Sequence, residues 1–364
     1  MKFQDEYREQ GLVQGLAAAI ADEARQLQNP VRFMEVCGTH TMAIARFGLK
    51  SLLPPQVRLI SGPGCPVCVT PVQYIDQAIA LASCPDTIIT TFGDLLRVPG
   101  SRSSLMKERA KGAAVNVVHS ALDAVKLSVG QPCKRVVFLG VGFETTTPTV
   151  AAAVLTAERQ GLDNFSVLTS HKTMPEAMRL LTVDPGLQLR GYLCPAHVST
   201  VIGSDAYRPL AEQFGVPCVV TGFEPADILQ GILLLLRQCR AGHAVVENQY
   251  SRAVTTGGNR AAQQLLQQVF EPCDTVWRGL GEIPGSGLRL RAAYECFNAA
   301  RMVPVEDIPA LEPSGCLCGD VLTGRIEPND CPLFGTRCTP ETPVGACMVS
   351  SEGSCAAVWR YAAI

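Results

Sequence analysis

Between residues 31 and 245 the chain alternates short apolar runs with amphipathic stretches, and this alternation restricts the fold more than any other feature. The runs are VRFMEV, VRLI, TIITTF, VNVV, RVVFLG, FSVLTS, LRGYLC and PCVVTG, rich in β-branched residues and bounded by Gly or Pro. They read as buried strands, because a strand covered on both faces has no polar side to show. The stretches between them, such as 145–160, 175–182, 205–214 and 224–241, carry the spacing of amphipathic helices. Strand followed by helix, repeated, predicts an α/β fold with parallel sheets.

Residues 3–28 read as a helix stopped by the NP pair at 29–30. MEVCGTHTMAIA at 34–45 and LGVGFETTTPTVA at 139–151 share a plan: a strand ends in Gly, any residue, His or Glu, then Thr, and a helix begins. Any two strand–helix turns can look alike, but the shared plan is read here as two similar α/β lobes, 31–130 and 131–245. With the leading helix the expected units are 1–130, 131–245 and 246–364. In the last unit TTGGNRAAQQLLQQVF reads as a helix with a polar lead-in, and GLGEIPGSGLRL as loop or strand. From 311 the chain is rich in Cys, Pro and Gly with little periodicity. Such a segment lacks the apolar content to fold alone, so something else is expected to hold it.

A net charge of −2 and an aromatic content of 6% give no footprint for nucleic acid or an anionic membrane. The first residues, MKFQDEYREQ, contain no apolar core of a secretory signal, and ILLLL at 232–236 is too short to span a bilayer. The expected location is therefore the cytoplasm. There sixteen cysteines are an anomaly, because a reducing compartment disfavours structural disulfides. Cys84, Cys133, Cys218, Cys239, Cys273 and Cys296 each stand alone and read as small apolar residues. The clustered cysteines call for metal, cluster or redox chemistry.

The tail holds Cys316, Cys318, Cys331, Cys338, Cys347 and Cys355, and no histidine follows His243. Any metal there takes thiolate alone, which suits zinc or an iron–sulfur cluster. From Cys318 the intervals run x12, x6 and x16. Structural zinc favours two close pairs, so a 4Fe–4S cluster is the preferred reading, with reduced buried cysteines as the bland alternative. Cys316 and Cys347 are read as spare, since a small residue could replace each without changing the local turn. That leaves Cys318, Cys331, Cys338 and Cys355 as ligands.

CGTHT at 37–41 follows a strand and opens a helix, so Cys37 is expected at the carboxyl end of a parallel strand. A helix N-terminus lowers a thiol pKa, and His40 one short turn on suits a metal ligand or proton carrier. Helix capping by Thr39 or Thr41 is the competing reading. In GPGCPVC at 62–68, the spacing of Cys65 and Cys68 lets a disulfide form and open. No second pair lies nearby to complete a zinc site. Asp94, Arg97, Glu144, His171 and His197 recur at expected strand ends. Any one is more often an ordinary loop residue, and only the recurrence is suggestive. GFETTTP is similar to a phosphate-cradling turn but lacks the lysine and spacing.

Six motifs in order, MEVCGTHT, SGPGCPVCVTP, TFGDLLRVPGS, GFETTTPT, CPAHVSTVIG and CTPETPVGACMVSSEGSCAA, resemble the HypD family of hydrogenase maturation proteins from about residue 31 onward. The resemblance implies two α/β domains plus a part carrying a 4Fe–4S cluster. It implies work with a HypC-type chaperone and a HypE-type protein that carries thiocyanate, to assemble the Fe(CN)2(CO) moiety of nickel–iron hydrogenases. By the same resemblance Cys37 holds the iron together with a cysteine of the chaperone, His40 assists, and Cys65 and Cys68 form a redox dithiol. Asp94, Glu144 and His197 complete the expected site, and tail thiolates bind the cluster. Two rivals stay open: an iron–sulfur thiol–disulfide reductase similar to ferredoxin–thioredoxin reductase, and a non-enzymatic scaffold with a structural cluster.

Overall fold

The computed structural model describes residues 5–303 and 310–361. All the expected strands form: β1 (Val31–Glu35), β2 (Val57–Ser61), β3 (Thr87–Thr91), β4 (Ala114–Val117), β5 (Arg135–Gly142), β6 (Phe165–Lys172), β7 (Leu189–Pro195) and β8 (Cys218–Thr221). They are joined by β9 (Val246–Asn248), β10 (Phe270–Trp277) and β11 (Gly281–Leu290). The first sheet runs β2-β1-β7-β8-β9 and is parallel throughout. The second runs β10-β11-β6-β5-β3-β4. Its β6-β5-β3-β4 part is parallel, and β10 and β11 add an antiparallel hairpin beside β6. The segment read as loop or strand is thus mostly β11.

Strand pairing does not follow a division at residue 130. Residues before it supply β1 and β2 to the first sheet and β3 and β4 to the second; residues after it supply the remaining strands of both. Periodicity marks a strand but not its partner, so the crossings from β2 to β3 and from β6 to β7 left no local signal. The two similar turns stand on different sheets, one after β1 and one after β5.

Side chains alternate between cores along each strand. Phe33, Leu193 and Val219 face the helices Gln10–Ala24 and Pro225–Ala241, where they meet Ile20, Ala24, Ile228 and Ile232. Their neighbours Met34, Tyr192, Cys194, Cys218 and Val220 face the other way, into a core shared with Phe143, Trp277 and the tail. The helix Pro225–Ala241 starts at Pro225 with a reciprocal Glu224/Asp227 cap and ends at Gly242 with φ 67°. Its ILLLL run lies between sheet and helix. Among the described residues no helix is long and apolar enough to cross a membrane. The leading helix, expected over 3–28, is Gln10–Ala24 after a single turn at Glu6–Arg8, and residues 1–4 lie outside the described residues.

In the first sheet the strand order reverses between β1 and β7, and in the second between β3 and β5. Parallel sheets place their crevices at the carboxyl ends of such strands, where successive connections leave on opposite sides. CGTHT follows β1, CPAHVS spans the end of β7, TFGDLLR follows β3 and GFETT follows β5. The motifs thus collect at both reversal points.

Candidate functional site

Cys37 is the N-cap residue of the helix Gly38–Arg46, directly after β1. Its backbone N–H donates to Glu35 Oε2 at 3.1 Å. The same carboxyl accepts from the Thr41 hydroxyl at 2.6 Å, so one buried acid braces both ends of the motif. Burial pushes Glu35 up to about 7, against the hydrogen bonds from Thr41, Ser61 and Cys37 that pull it down. Sequence reading missed Glu35. The available signal was a charged residue inside a run otherwise fit for a fully buried strand.

The Cys37 thiol was expected to be acidified by the helix N-terminus. The structure reverses this: burial, then the negative field of Glu352, push it up to about 12, outweighing the backbone N–H groups of His40 and Thr39. Cys37 is therefore a thiol until something replaces its proton. His40 is fully buried, with Nε2 at 2.9 Å from the Gly222 carbonyl and 3.2 Å from that of Thr221. Carbonyls only accept, so Nε2 carries the hydrogen and Nδ1 keeps its lone pair. Among the described residues Nδ1 has no partner. Burial lowers the His40 pKa to about 4, which holds the ring neutral at physiological pH. Phe223 lies between the rings of His40 and His197, with centroids 4.9 and 4.2 Å away. His197 is exposed and so stands at the rim of this crevice.

The loop after β2 lies against the same turn. Gly38 N–H donates to the Gly64 carbonyl at 3.0 Å. A Cβ on Gly64 would stand 2.3 Å from the Cys37 nitrogen, so only glycine permits this approach. Cys65 follows at once, joined to Cys68 as a disulfide with Cα atoms 5.3 Å apart. Pro66 opens the one-turn helix Pro66–Val69, and Cys65 Sγ accepts from the Cys68 N–H at 3.2 Å. Both sulfurs are buried.

The tail covers these elements. Its helix Ala346–Val349 packs on Pro66–Val69, with Cys68 Sγ 3.9 Å from the Ala346 carbonyl oxygen. The Ser350 hydroxyl donates to Asp94 Oδ2 at 2.9 Å, and Arg97 donates to the Val349 and Pro340 carbonyls at 3.4 Å. Asp94 and Arg97 thus fasten the tail to the second sheet. Two residues on, Glu352 accepts from the Thr39 hydroxyl at 3.1 Å, and its backbone fills the space a side chain on Gly38 would need. The segment 349–352 therefore bridges the two reversal points. Sequence reading missed Glu352, because no local pattern tells which distant turn a loop carboxylate will reach.

All six tail cysteines line one small cavity with Val321, Leu333, Phe334 and Met348. Thiol contacts run from Cys316 to Cys318, on to Cys347 and then to Cys355. Cys316 and Cys347, read as spare, thus share the cavity with Cys318, Cys331, Cys338 and Cys355. Among the described residues no three His, Cys, Asp or Glu groups are arranged around one metal-ion position. The donor set, thiols without imidazole in an apolar enclosure, fits an iron–sulfur cluster, whose ligands stand around a larger body than a single ion.

Two further expected residues, Glu144 and His171, have partners of their own. Glu144 is buried after β5, with Oε1 accepting from the Met174 N–H at 3.0 Å and Oε2 without a partner among the described residues. Burial raises it to about 7. His171 is buried against Phe270 as part of the core. The six lone cysteines divide. Cys133 and Cys296 are exposed, and Cys84, Cys239 and Cys273 are half-buried, so the apolar-core reading fails for the exposed pair. Cys218 is fully buried but not alone, since its thiol meets that of Cys194 on the neighbouring strand. A one-dimensional spacing of 24 residues hid that pairing.

A family model, HypD, described as the Hydrogenase formation hypA family, matches residues 11–362. The chain is 50% identical over 368 residues to the hydrogenase maturation factor HypD of Azotobacter vinelandii, covering 99% of this chain and 97% of that protein. To the HypD of Rhodobacter capsulatus it is 49% identical over 370 residues, covering 99% and 98%. To that of Escherichia coli it is 46% identical over 369 residues, again covering 99% and 98%.

Proposed function

The chain belongs to the HypD family and is a hydrogenase maturation factor, and from that premise we propose that it is the redox scaffold on which the Fe(CN)2(CO) moiety is built. In this reading a HypC-type chaperone and this chain hold iron, the cargo, between a chaperone cysteine and Cys37. A HypE-type partner delivers cyanide as a protein thiocyanate. One observation carries the reading: the Gly38–Gly64 hydrogen bond joins the Cys37 turn and the Cys65/Cys68 loop into one unit.

The chemistry balances on that unit. Cleaving the S–CN bond of a thiocyanate to thiolate and cyanide consumes two electrons. Closing the Cys65–Cys68 bond from the dithiol releases two electrons and two protons. The protons pass to the liberated thiolate and cyanide, or to solvent once cyanide binds the iron. Cys37 gives up its proton on loading, because a coordinating thiol is deprotonated outright. His40, neutral and with Nδ1 open, is suited to accept a hydrogen bond or serve as a ligand beside it. Tail cysteines would hold a 4Fe–4S cluster, which would supply one-electron chemistry beside the dithiol. The tail's packing on Pro66–Val69 supports that placement.

The test is infrared spectroscopy of the protein purified anaerobically with its chaperone from a host that makes hydrogenase. Bands of metal-bound cyanide and carbon monoxide are expected, and Cys65→Ala should abolish both bands and hydrogenase maturation. A competent host that yields no such bands, or a Cys65→Ala variant that still supports maturation, would sink the reading.

A further inference from the structure

Arg278 stands at the tip of the β10–β11 hairpin, and the backbone on either side of it is fixed. Its own N–H donates to the Val69 carbonyl at 2.8 Å, at the end of the dithiol helix. Gly279 packs against the backbone of Gly319, in the tail helix Cys318–Leu322. The preceding Trp277 is wholly buried and its indole N–H donates to the Ser286 hydroxyl at 2.8 Å, which anchors the hairpin. The guanidinium is thereby held between the dithiol helix and the tail thiols.

There it is 5% exposed. Among the described residues, Nε and Nη2 make no hydrogen bond. The carboxylate of Glu312 comes only to 3.6 Å and is itself largely exposed, so it neutralises the charge weakly. Arg278, Cys316 and Cys318 line a cavity of about 300 Å³. Leaving a buried guanidinium without an anion is costly. Such a group fits a position that fills with negative charge when the site is complete.

We propose that Arg278 is the counter-cation of the tail thiolates, its Nε and Nη2 donating to the sulfurs of the group they hold and setting that group's reduction potential. This rests on the reading of the tail cysteines as a 4Fe–4S site. Four thiolates make such a group anionic, and reduction adds one more negative charge. A fixed cation with a planar donor fork beside it therefore favours the reduced form.

The test is a redox titration, followed by visible absorbance, of the full chain loaded anaerobically with iron and sulfide. Arg278→Met should take up wild-type amounts of both, with its potential lowered by about 59 mV or more, tenfold in a one-electron equilibrium. Arg278→Lys, which keeps the charge without the fork, should fall between. Melting of the cluster-free proteins gives a second readout. There Arg278→Met should melt higher than wild type, having lost a weakly paired buried cation, and the order should reverse after loading. An unchanged potential in a loaded Arg278→Met, or the same melting order in both states, overturns the role of Arg278 alone. A wild-type chain that takes up no iron and sulfide overturns the cluster reading and the proposal with it.

Discussion

At Cys37 two opposed effects act on one sulfur, and burial wins over the helix N-terminus. A thiol held up to about 12 is a poor nucleophile near neutrality and is buried besides, whereas Cys133 and Cys296 are open to solvent. Brief iodoacetamide treatment at pH 8, mapped by peptide mass spectrometry, should therefore label Cys133 and Cys296 first and Cys37 at least tenfold more slowly. Equal labelling would contradict the burial of that turn. Sequence alone identified Cys37, His40, Cys65 and Cys68 as residue types in chemically suggestive settings. It could not weigh desolvation against a helix terminus, since that depends on what covers the thiol, and the cover is Glu352, more than 300 positions along the chain. Glu35 escaped for a related reason: its function is to hold backbone, and no motif advertises that.

Elements were more legible than their pairings. β-branched runs and amphipathic stretches are local signals, and all the expected strands formed. Sheet membership is a long-range property, so strands expected to share a lobe went to different sheets. The tail shows the same limit. Its poverty in apolar residues pointed to an external brace, and part of that brace is hydrogen bonding from the segment after β3. Asp94→Ala removes the acceptor of the Ser350 hydroxyl, a loss of about 1 to 2 kcal/mol. Limited proteolysis of the folded chain should then cut residues 310–361 faster while leaving the sheets intact. An unchanged cleavage rate would mean that Arg97 and the core contacts hold the tail without Asp94.

Across the whole molecule, two buried carboxyls couple stability to pH. Glu35 and Glu144 both rise from an ordinary value of 4.5 to about 7. The folded chain thus binds protons that the unfolded chain has released between those values. The stability this protonation lends is complete below pH 4.5 and is lost as pH rises through 7. Glu144→Gln keeps the acceptor for Met174 and removes the ionisation. Urea unfolding should find it equal to wild type at pH 5 and more stable at pH 8, by on the order of 3 kcal/mol. A variant no more stable at pH 8 would show that Glu144 is not carried uncharged in the fold.

The interleaving of the two sheets also sets an order in time. A ribosome delivers β1 and the Cys37 turn well before β7, the inner neighbour of β1, which comes more than 150 residues later, and Glu352 comes more than 300 residues after Cys37. Until those residues emerge the nascent chain carries Cys37, Cys65 and Cys68 without their lid, reachable by any stray metal or oxidant. Long-range pairing of this kind is slow and leaves strands open while it waits. A cell that makes this protein must keep those early thiols quiet until segment 349–352 arrives to enclose them.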